Sequence, residues 1–247
     1  MLESGVGTGT RRLCHPLSSL ADPGITPKKG KWMLEFASEI PDNIQIDGID
    51  IAPRLFPQSC PPNITLSIHS ITSLPLSWDS RFIYVHQRLL MAALTTTMWK
   101  SAISEIFRIL QPGGWVELYE MGKPPKVGPY STKMEDMRKA LWDHKELMYD
   151  HEHELPVILA EVGFTQIQVD HRVLPMGRSA GQYGVDGNKD LTDIMYAMKT
   201  PVLKAGGLGF VSNEEEYDEV VAKTSEEWYE SNAVEDTFTF TARKPLL

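Results

Sequence analysis

The sequence predicts an α/β fold, a mainly parallel sheet with helices on both faces. Short β-branched or apolar runs recur between segments of helical period, so strands and helices alternate along the chain. The run Phe82-Ile83-Tyr84-Val85-His86 is nearly all apolar, as a strand buried on both faces requires. A glycine-rich turn, Gly5-Val6-Gly7-Thr8-Gly9, stands where a first strand would hand over to a helix.

Each element follows in order. Met1-Leu2-Glu3-Ser4 is short for a buried strand, and the glycine turn comes at once. Residues 10–30 show no clean period and carry Pro16, Pro23 and Pro27 with Gly24 and Gly30, so they read as loop. From Lys31 to Ile40 the apolar Trp32, Leu34, Phe36 and Ala37, with charges between, form a helix that Pro41 ends. Ile44 to Asp50 alternates and is β-branched, a strand with an acid at its carboxyl end; Ile64 to Ile68 alternates again. Residues 96–110 form a helix with Met98, Ala102, Ile103, Ile106 and Ile109-Leu110 on one apolar stripe. Gln111-Pro112-Gly113-Gly114 is expected to stop it before a strand from Trp115 to Tyr119. Further helices are expected over 132–149, 154–162 (with Gly163 as a left-handed cap), 189–204 and 213–230, and further strands over 165–169 and 237–241. There is no internal repeat. The chain reads as one domain, 1–247, with 10–30 as an irregular insertion.

Composition narrows the function. A hydrophobic share of 42% and a charged share of 23% belong to an ordinary globular protein, neither disordered nor membrane-embedded. No apolar run reaches the roughly 18–20 residues a membrane span needs, and no basic-then-apolar signal opens the chain. Two cysteines, Cys14 and Cys60, make no disulfide framework and suit a reducing compartment. A cytoplasmic protein is expected, with no membrane partner. The net charge of −9 argues against a nucleic-acid partner. Without a secretion signal, the Asn63-Ile64-Thr65 sequon reads as coincidence. His151 and His153, two positions apart, fall on different helix faces, so no metal site is expected. Gly206-Gly207-Leu208-Gly209 follows a helix and reads as a cap and turn; Met195 and Met198 read as core or pocket lining.

In an open parallel sheet, ligands bind at the carboxyl ends of the strands. Gly5, Gly7 and Gly9 would let the backbone approach a ligand closely. Asp50 could accept two hydrogen bonds from a ribose diol, and Ser70-Ile71 follows the next strand, placed to bracket an adenine. The turn is Gly-x-Gly-x-Gly, not the Gly-x-Gly-x-x-Gly of nicotinamide enzymes, and no polar pair suited to hydride transfer is found.

The segment Ile106 to Val116, a helix closing in Leu110-Gln111-Pro112-Gly113-Gly114 before an apolar strand, resembles the helix-to-fifth-strand junction of class I S-adenosylmethionine (SAM)-dependent methyltransferases. His69 to Leu90, with Ile103 to Glu120, is similar to the fungal LaeA-like branch, many of whose members are attached to secondary-metabolite gene clusters. Leu159 to Phe164 with Pro175-Met176-Gly177, and Thr237 to Pro245, extend the resemblance over nearly the whole chain. It implies a Rossmann-like, seven-stranded sheet with the last strand antiparallel, and SAM as cofactor. It sets Gly5, Gly7 and Gly9 at the methionine part, Asp50 at the ribose, Ser70 and Ile71 at the adenine, and His86 lining the pocket. The sulfonium is already activated, so no dedicated base is required. His86 and Glu120, at strand ends, are the candidates to assist deprotonation; otherwise they serve the structure, and the catalytic residue is unassigned. Ile83 departs from relatives that carry an acid near that position.

The implied function is methyl transfer from SAM to an oxygen or nitrogen of a small-molecule intermediate in fungal secondary metabolite biosynthesis. The alternatives are a methyltransferase-like regulator acting through protein partners, with a nuclear location, and an inactive relative. Relatives have a helical region before the first strand and a loop reading "G-T-G-x-W". By that measure the chain is N-terminally truncated, and residues 10–30, an insertion or retained intron, part Gly9 from Lys31-Trp32. Separating the glycines from the helix amides implies weak SAM affinity.

Overall fold

The computed structural model describes residues 2–4, 31–41 and 43–246. Among them are seven strands: β1 (Leu2–Ser4), β2 (Ile46–Asp50), β3 (Ile64–Ile68), β4 (Phe82–Arg88), β5 (Leu110–Met121), β6 (Thr165–Pro175) and β7 (Val234–Arg243). They lie in the order β3-β2-β1-β4-β5-β7-β6. The longer strands fall into two groups, the pair β2 and β3 and the four-stranded unit β4, β5, β7 and β6. The three-residue β1 joins them into one sheet, parallel to β2 on one side and β4 on the other. β7 runs antiparallel to both β5 and β6. Gly5, Gly7, Gly9, Cys14 and the segment 10–30 lie outside the described residues.

Six helices accompany the sheet among the described residues: α1 (Lys31–Glu39), α2 (Thr96–Ile109), α3 (Pro129–His144), α4 (His151–Val162), α5 (Gln182–Lys204) and α6 (Glu214–Glu230). Side chains alternate across a strand, so each sheet face has its own core. On one face α1 covers β2 and β3, with Met33 and Ala37 buried against Ile46 and Ile64. Gly48 makes that approach feasible, since a Cβ there would stand 2.7 Å from Met33 Sδ. On the other face α2 and α4 bury Trp99, Ile103, Ile106, Leu155 and Leu159 with Val85, Val116, Leu118 and Phe240. A further core forms from α3, α5 and α6, where Met134, Trp142, Leu191, Met195, Tyr217 and Trp228 meet Met121, Leu174 and Ala233. Those last three mark the end of β5, the end of β6 and the approach to β7. This helical cap therefore sits at the carboxyl edge of the parallel strands.

Helix ends follow their local chemistry. Thr95 Oγ1 accepts the Met98 N–H at 3.2 Å to start α2. At the other end Lys244 Nζ donates to the carbonyls of Phe107 (2.7 Å) and Leu110 (2.8 Å), placing a cation on the negative helix terminus. Gly163 ends α4 with φ 110°, the left-handed cap that was expected.

Several boundaries differ from expectation. The Pro112-Gly113-Gly114 segment does not separate helix from strand: β5 begins at Leu110, and Gln111 to Gly114 form an irregularity between the Phe82–Leu110 and Tyr84–Trp115 pairs. α3 covers Pro129–His144, not 132–149, because Glu146 takes φ 57° and Leu147 turns to bridge Thr95. α5 begins seven residues before 189, and β6 continues to Pro175. Asn63 of the sequon is buried and donates through Nδ2 to the Ile44 carbonyl at 3.2 Å, so its amide is occupied within the fold. No described helix is long and apolar enough to cross a membrane.

Candidate functional site

Asp50 is the last residue of β2, paired with Ile68 at the end of β3. Its carboxylate is largely buried, and Oδ1 accepts the Ala52 N–H at 2.9 Å, which fixes the turn after the strand. The next side chain, Ile51, is 75% exposed, and Ile68 is 56% exposed. An acid flanked by bare isoleucines at a sheet's carboxyl edge can serve a ligand that is polar on one side and flat and apolar on the other. Asp50 was legible in the sequence. Ile51 was missed, although an isoleucine directly after a strand-ending acid was the available signal.

The connection after β3 is held by α2. Glu105 Oε2 accepts the Leu74 N–H at 2.6 Å, and Arg108 donates to the Leu74 carbonyl at 3.0 Å while pairing with Glu105 at 2.7 Å. The Arg108 hydrogen bond is the main reason the Glu105 carboxyl lies below its ordinary pKa. Ser70 Oγ and Thr72 Oγ1 lie 2.7 Å apart in the turn this creates. Ile71 is buried in the core cluster that holds Leu74 and Trp78, whereas Ser70 is half-buried.

The two proposed proton-handling residues face opposite sides of the sheet. His86 lies two residues inside the end of β4, on the α1 face with Tyr84. Its Nδ1 is 3.1 Å from Glu117 Oε1 on β5, and its ring stacks on Trp32 with centroids 3.7 Å apart and planes 7° from parallel. Burial lowers the His86 pKa despite the opposing pull of Glu117, so the imidazole is neutral near pH 7. The carboxylate contact assigns the proton to Nδ1 and leaves Nε2 as an acceptor, unpartnered among the described residues. Burial pushes Glu117 up, but the hydrogen bond with His86 holds it below the ordinary value. Glu117 and Trp32 were not foreseen as site residues.

Glu120, by contrast, is fully buried on the α2 face. Oε1 accepts from Gln87 Nε2 at 2.7 Å and from the Leu90 N–H at 2.9 Å; Oε2 accepts the Met91 N–H at 3.1 Å. These bonds tie down the turn after β4, in which Leu89 adopts φ 54°. Burial raises the Glu120 pKa to about 7.

Beneath the cap a second polar group is buried. Glu135 binds Arg138 through both oxygens, at 2.5 and 2.8 Å, and accepts the Tyr149 hydroxyl at 2.6 Å. Burial, with that hydrogen bond, pushes Tyr149 up to about 12. Glu235, at the start of β7, is fully buried, and burial holds its carboxyl well above the ordinary value. His151 is buried and His153 exposed, so the fold does not bring them together. Asp150, Glu152 and His153 do cluster, but Lys123 Nζ fills the space between the two carboxylates at 2.5 and 2.7 Å.

No family model matches the chain. It is 31% identical over 196 residues to the N-methyltransferase sirN of Leptosphaeria maculans, covering 74% of this chain and 66% of that protein. The secondary metabolism regulator laeA of Gibberella zeae is more distant, 24% identical over 151 residues, 56% of this chain and 47% of the regulator. Among solved structures, the Haemonchus contortus phosphoethanolamine N-methyltransferase 2 in complex with S-adenosyl-L-methionine superposes with a TM-score of 0.53 at 18% identity, covering 99% of this chain and 48% of that one. At that identity the superposition speaks for the fold alone. The chain thus has the class I, Rossmann-like methyltransferase fold and is a homologue of fungal N-methyltransferases, spanning just under two thirds of the length of sirN.

Proposed function

We propose that the chain is a cytoplasmic SAM-dependent methyltransferase that acts on a nitrogen of a small-molecule intermediate in fungal secondary metabolism. The observation that carries this is the Asp50–Ile51 pair at the carboxyl end of β2 in a methyltransferase fold, an acid beside a bare apolar side chain where a nucleoside would lie. Nitrogen is preferred over oxygen because sirN is an N-methyltransferase.

The residues present fit that cofactor. Asp50 would hold the ribose hydroxyls, Ile51 and Ser70 would border the adenine, and Gly5, Gly7 and Gly9 would take the methionine part. When bound, SAM supplies a methyl group already activated on a sulfonium. The chain's own contribution is orientation and exclusion of water. Glu120 holds the Leu89–Met91 turn at the strand ends, and the cap of α3, α5 and α6 closes over the same edge. His86 Nε2 would take the proton that an amine loses, with Glu117 stabilising the cation at Nδ1.

Transfer of a labelled methyl group from SAM to an extract of pathway intermediates tests the proposal directly. A labelled amine product supports it; SAM binding with no product from any extract overturns the enzymatic reading. Altered gene expression on deletion, with no methyl group lost from any metabolite, would favour a regulator acting through protein partners, the second reading suggested by laeA. For His86, a substitution to glutamine is expected to lower kcat roughly tenfold or more and to flatten the acid limb of its pH profile. A rise in KM for SAM with kcat unchanged would instead make His86 pocket lining.

A further inference from the structure

β6 ends the sheet: it pairs with β7 and, among the described residues, with nothing on its other side. An eleven-residue edge is a template for another strand. The direction of its backbone groups follows from three contacts. Met176 N donates to the Ala233 carbonyl at 2.9 Å, the Arg172 carbonyl accepts Thr237 Oγ1 at 3.2 Å, and Arg172 pairs with Thr237 in the register. Even-numbered residues therefore turn their N–H and C=O toward β7. The groups of Val169, His171 and Val173 point out of the sheet.

Proteins commonly place charges on an open edge to keep strands apart. The charges here instead complement themselves. The central run reads Val169-Asp170-His171-Arg172-Val173, so a second copy running antiparallel about a twofold axis at His171 meets it symmetrically. Asp170 then faces Arg172 of the other copy, twice, and Val169 faces Val173, twice. The outward N–H and C=O groups of His171 meet their own symmetry mates, as an antiparallel ladder requires. Val169 and Val173 are 45% and 51% exposed, apolar surface that such pairing would cover. Asp170 and Arg172 already bond at 2.7 Å within the strand and remain more than half exposed. The His171 ring is drawn inward, with Nε2 2.6 Å from Asp236 and its face on Phe238, which leaves the edge clear.

We propose that β6 is a self-pairing edge and that two copies of this chain form a twofold dimer with one continuous sheet, centred on His171. The test is the molar mass of the full chain in solution, by light scattering or sedimentation equilibrium, over a range of concentrations. Wild type is expected to be dimeric. Asp170→Arg and Arg172→Asp each place like charges opposite one another at two symmetric points, and each is expected to weaken dimerisation roughly tenfold or more. The double variant restores the complementarity with signs reversed and is expected to dimerise as wild type does. Both positions are exposed, and circular dichroism of each variant confirms the fold. A monomeric wild type overturns the proposal. So does a dimer indifferent to the single changes, or a double variant that stays apart.

Discussion

Glu120→Ala is expected to destabilise the protein by about 3 kcal/mol or more, measured by denaturant unfolding. The change leaves the buried Gln87 Nε2 and the Leu90 and Met91 amides of the turn without their acceptor. It also frees the turn in which Leu89 holds a left-handed conformation. Glu120→Gln removes the ionisation while one oxygen still accepts from Gln87 and Leu90, and only the acceptor for the Met91 amide is lost. The pH dependence then carries a definite sign. Burial raises the Glu120 pKa from 4.5 to about 7, so between those values the folded state keeps a proton the unfolded state has lost. Stability must therefore fall as pH rises from 4.5 to 7, by about 3 kcal/mol, and stay level above. His86, whose pKa burial lowers, contributes the opposite slope as pH falls through the unfolded value of about 6.5. Taking wild type minus Glu120→Gln across that range isolates the carboxyl. Parallel curves would mean that the three donors fully offset its burial.

Asp50→Ala is expected to weaken SAM binding roughly a hundredfold, as two charge-assisted hydrogen bonds to a ribose diol are lost. Alanine also removes the acceptor for the Ala52 amide, so the result could reflect a loosened turn. Asp50→Asn answers this. Its oxygen can still accept from Ala52, while its amide cannot accept a second hydroxyl. A drop of about tenfold with an unchanged melting temperature assigns the loss to the ligand. Calorimetric affinities equal to wild type for both variants would remove Asp50 from the cofactor site.

The sequence was informative wherever one face of an element is buried and the other wet. The core of β7 shows that alternation and α2 shows its stripe, so these elements appear where expected; Ile64–Ile68 alternates in residue type and is also where expected, although Ile68 is exposed. β6 was seen only to Val169, because Asp170, His171 and Arg172 line an exposed edge and carry no apolar alternation. The start of α5 was hidden by Gly184 and Gly187, which weaken a helix in isolation. Their reason is tertiary: a Cβ at either would fall 1.8 Å from the Gly177 carbonyl oxygen or 2.3 Å from that of Pro175. In the site, Asp50 was readable because a strand-ending acid is a local pattern. Glu117 was not, since only the β4–β5 register places it opposite His86. The same register separates His86 from Glu120, which chain position alone had grouped as strand-end residues.

β1 carries a consequence for how the molecule opens. Within the sheet, among the described residues, β2 and β3 connect to the remaining strands through three residues of β1. Such a seam is expected to open at a lower free energy than the longer strand pairings beside it. Native-state hydrogen exchange should show the β2 and β3 amides opening together, at a lower free energy than those of β4, β5 and β7. A ligand that touched Asp50 on one side and the His86 strand on the other would bridge the seam, and its binding energy would fall mainly on the weaker side. Saturating SAM should therefore slow exchange most in β2 and β3, coupling the two sides of the seam.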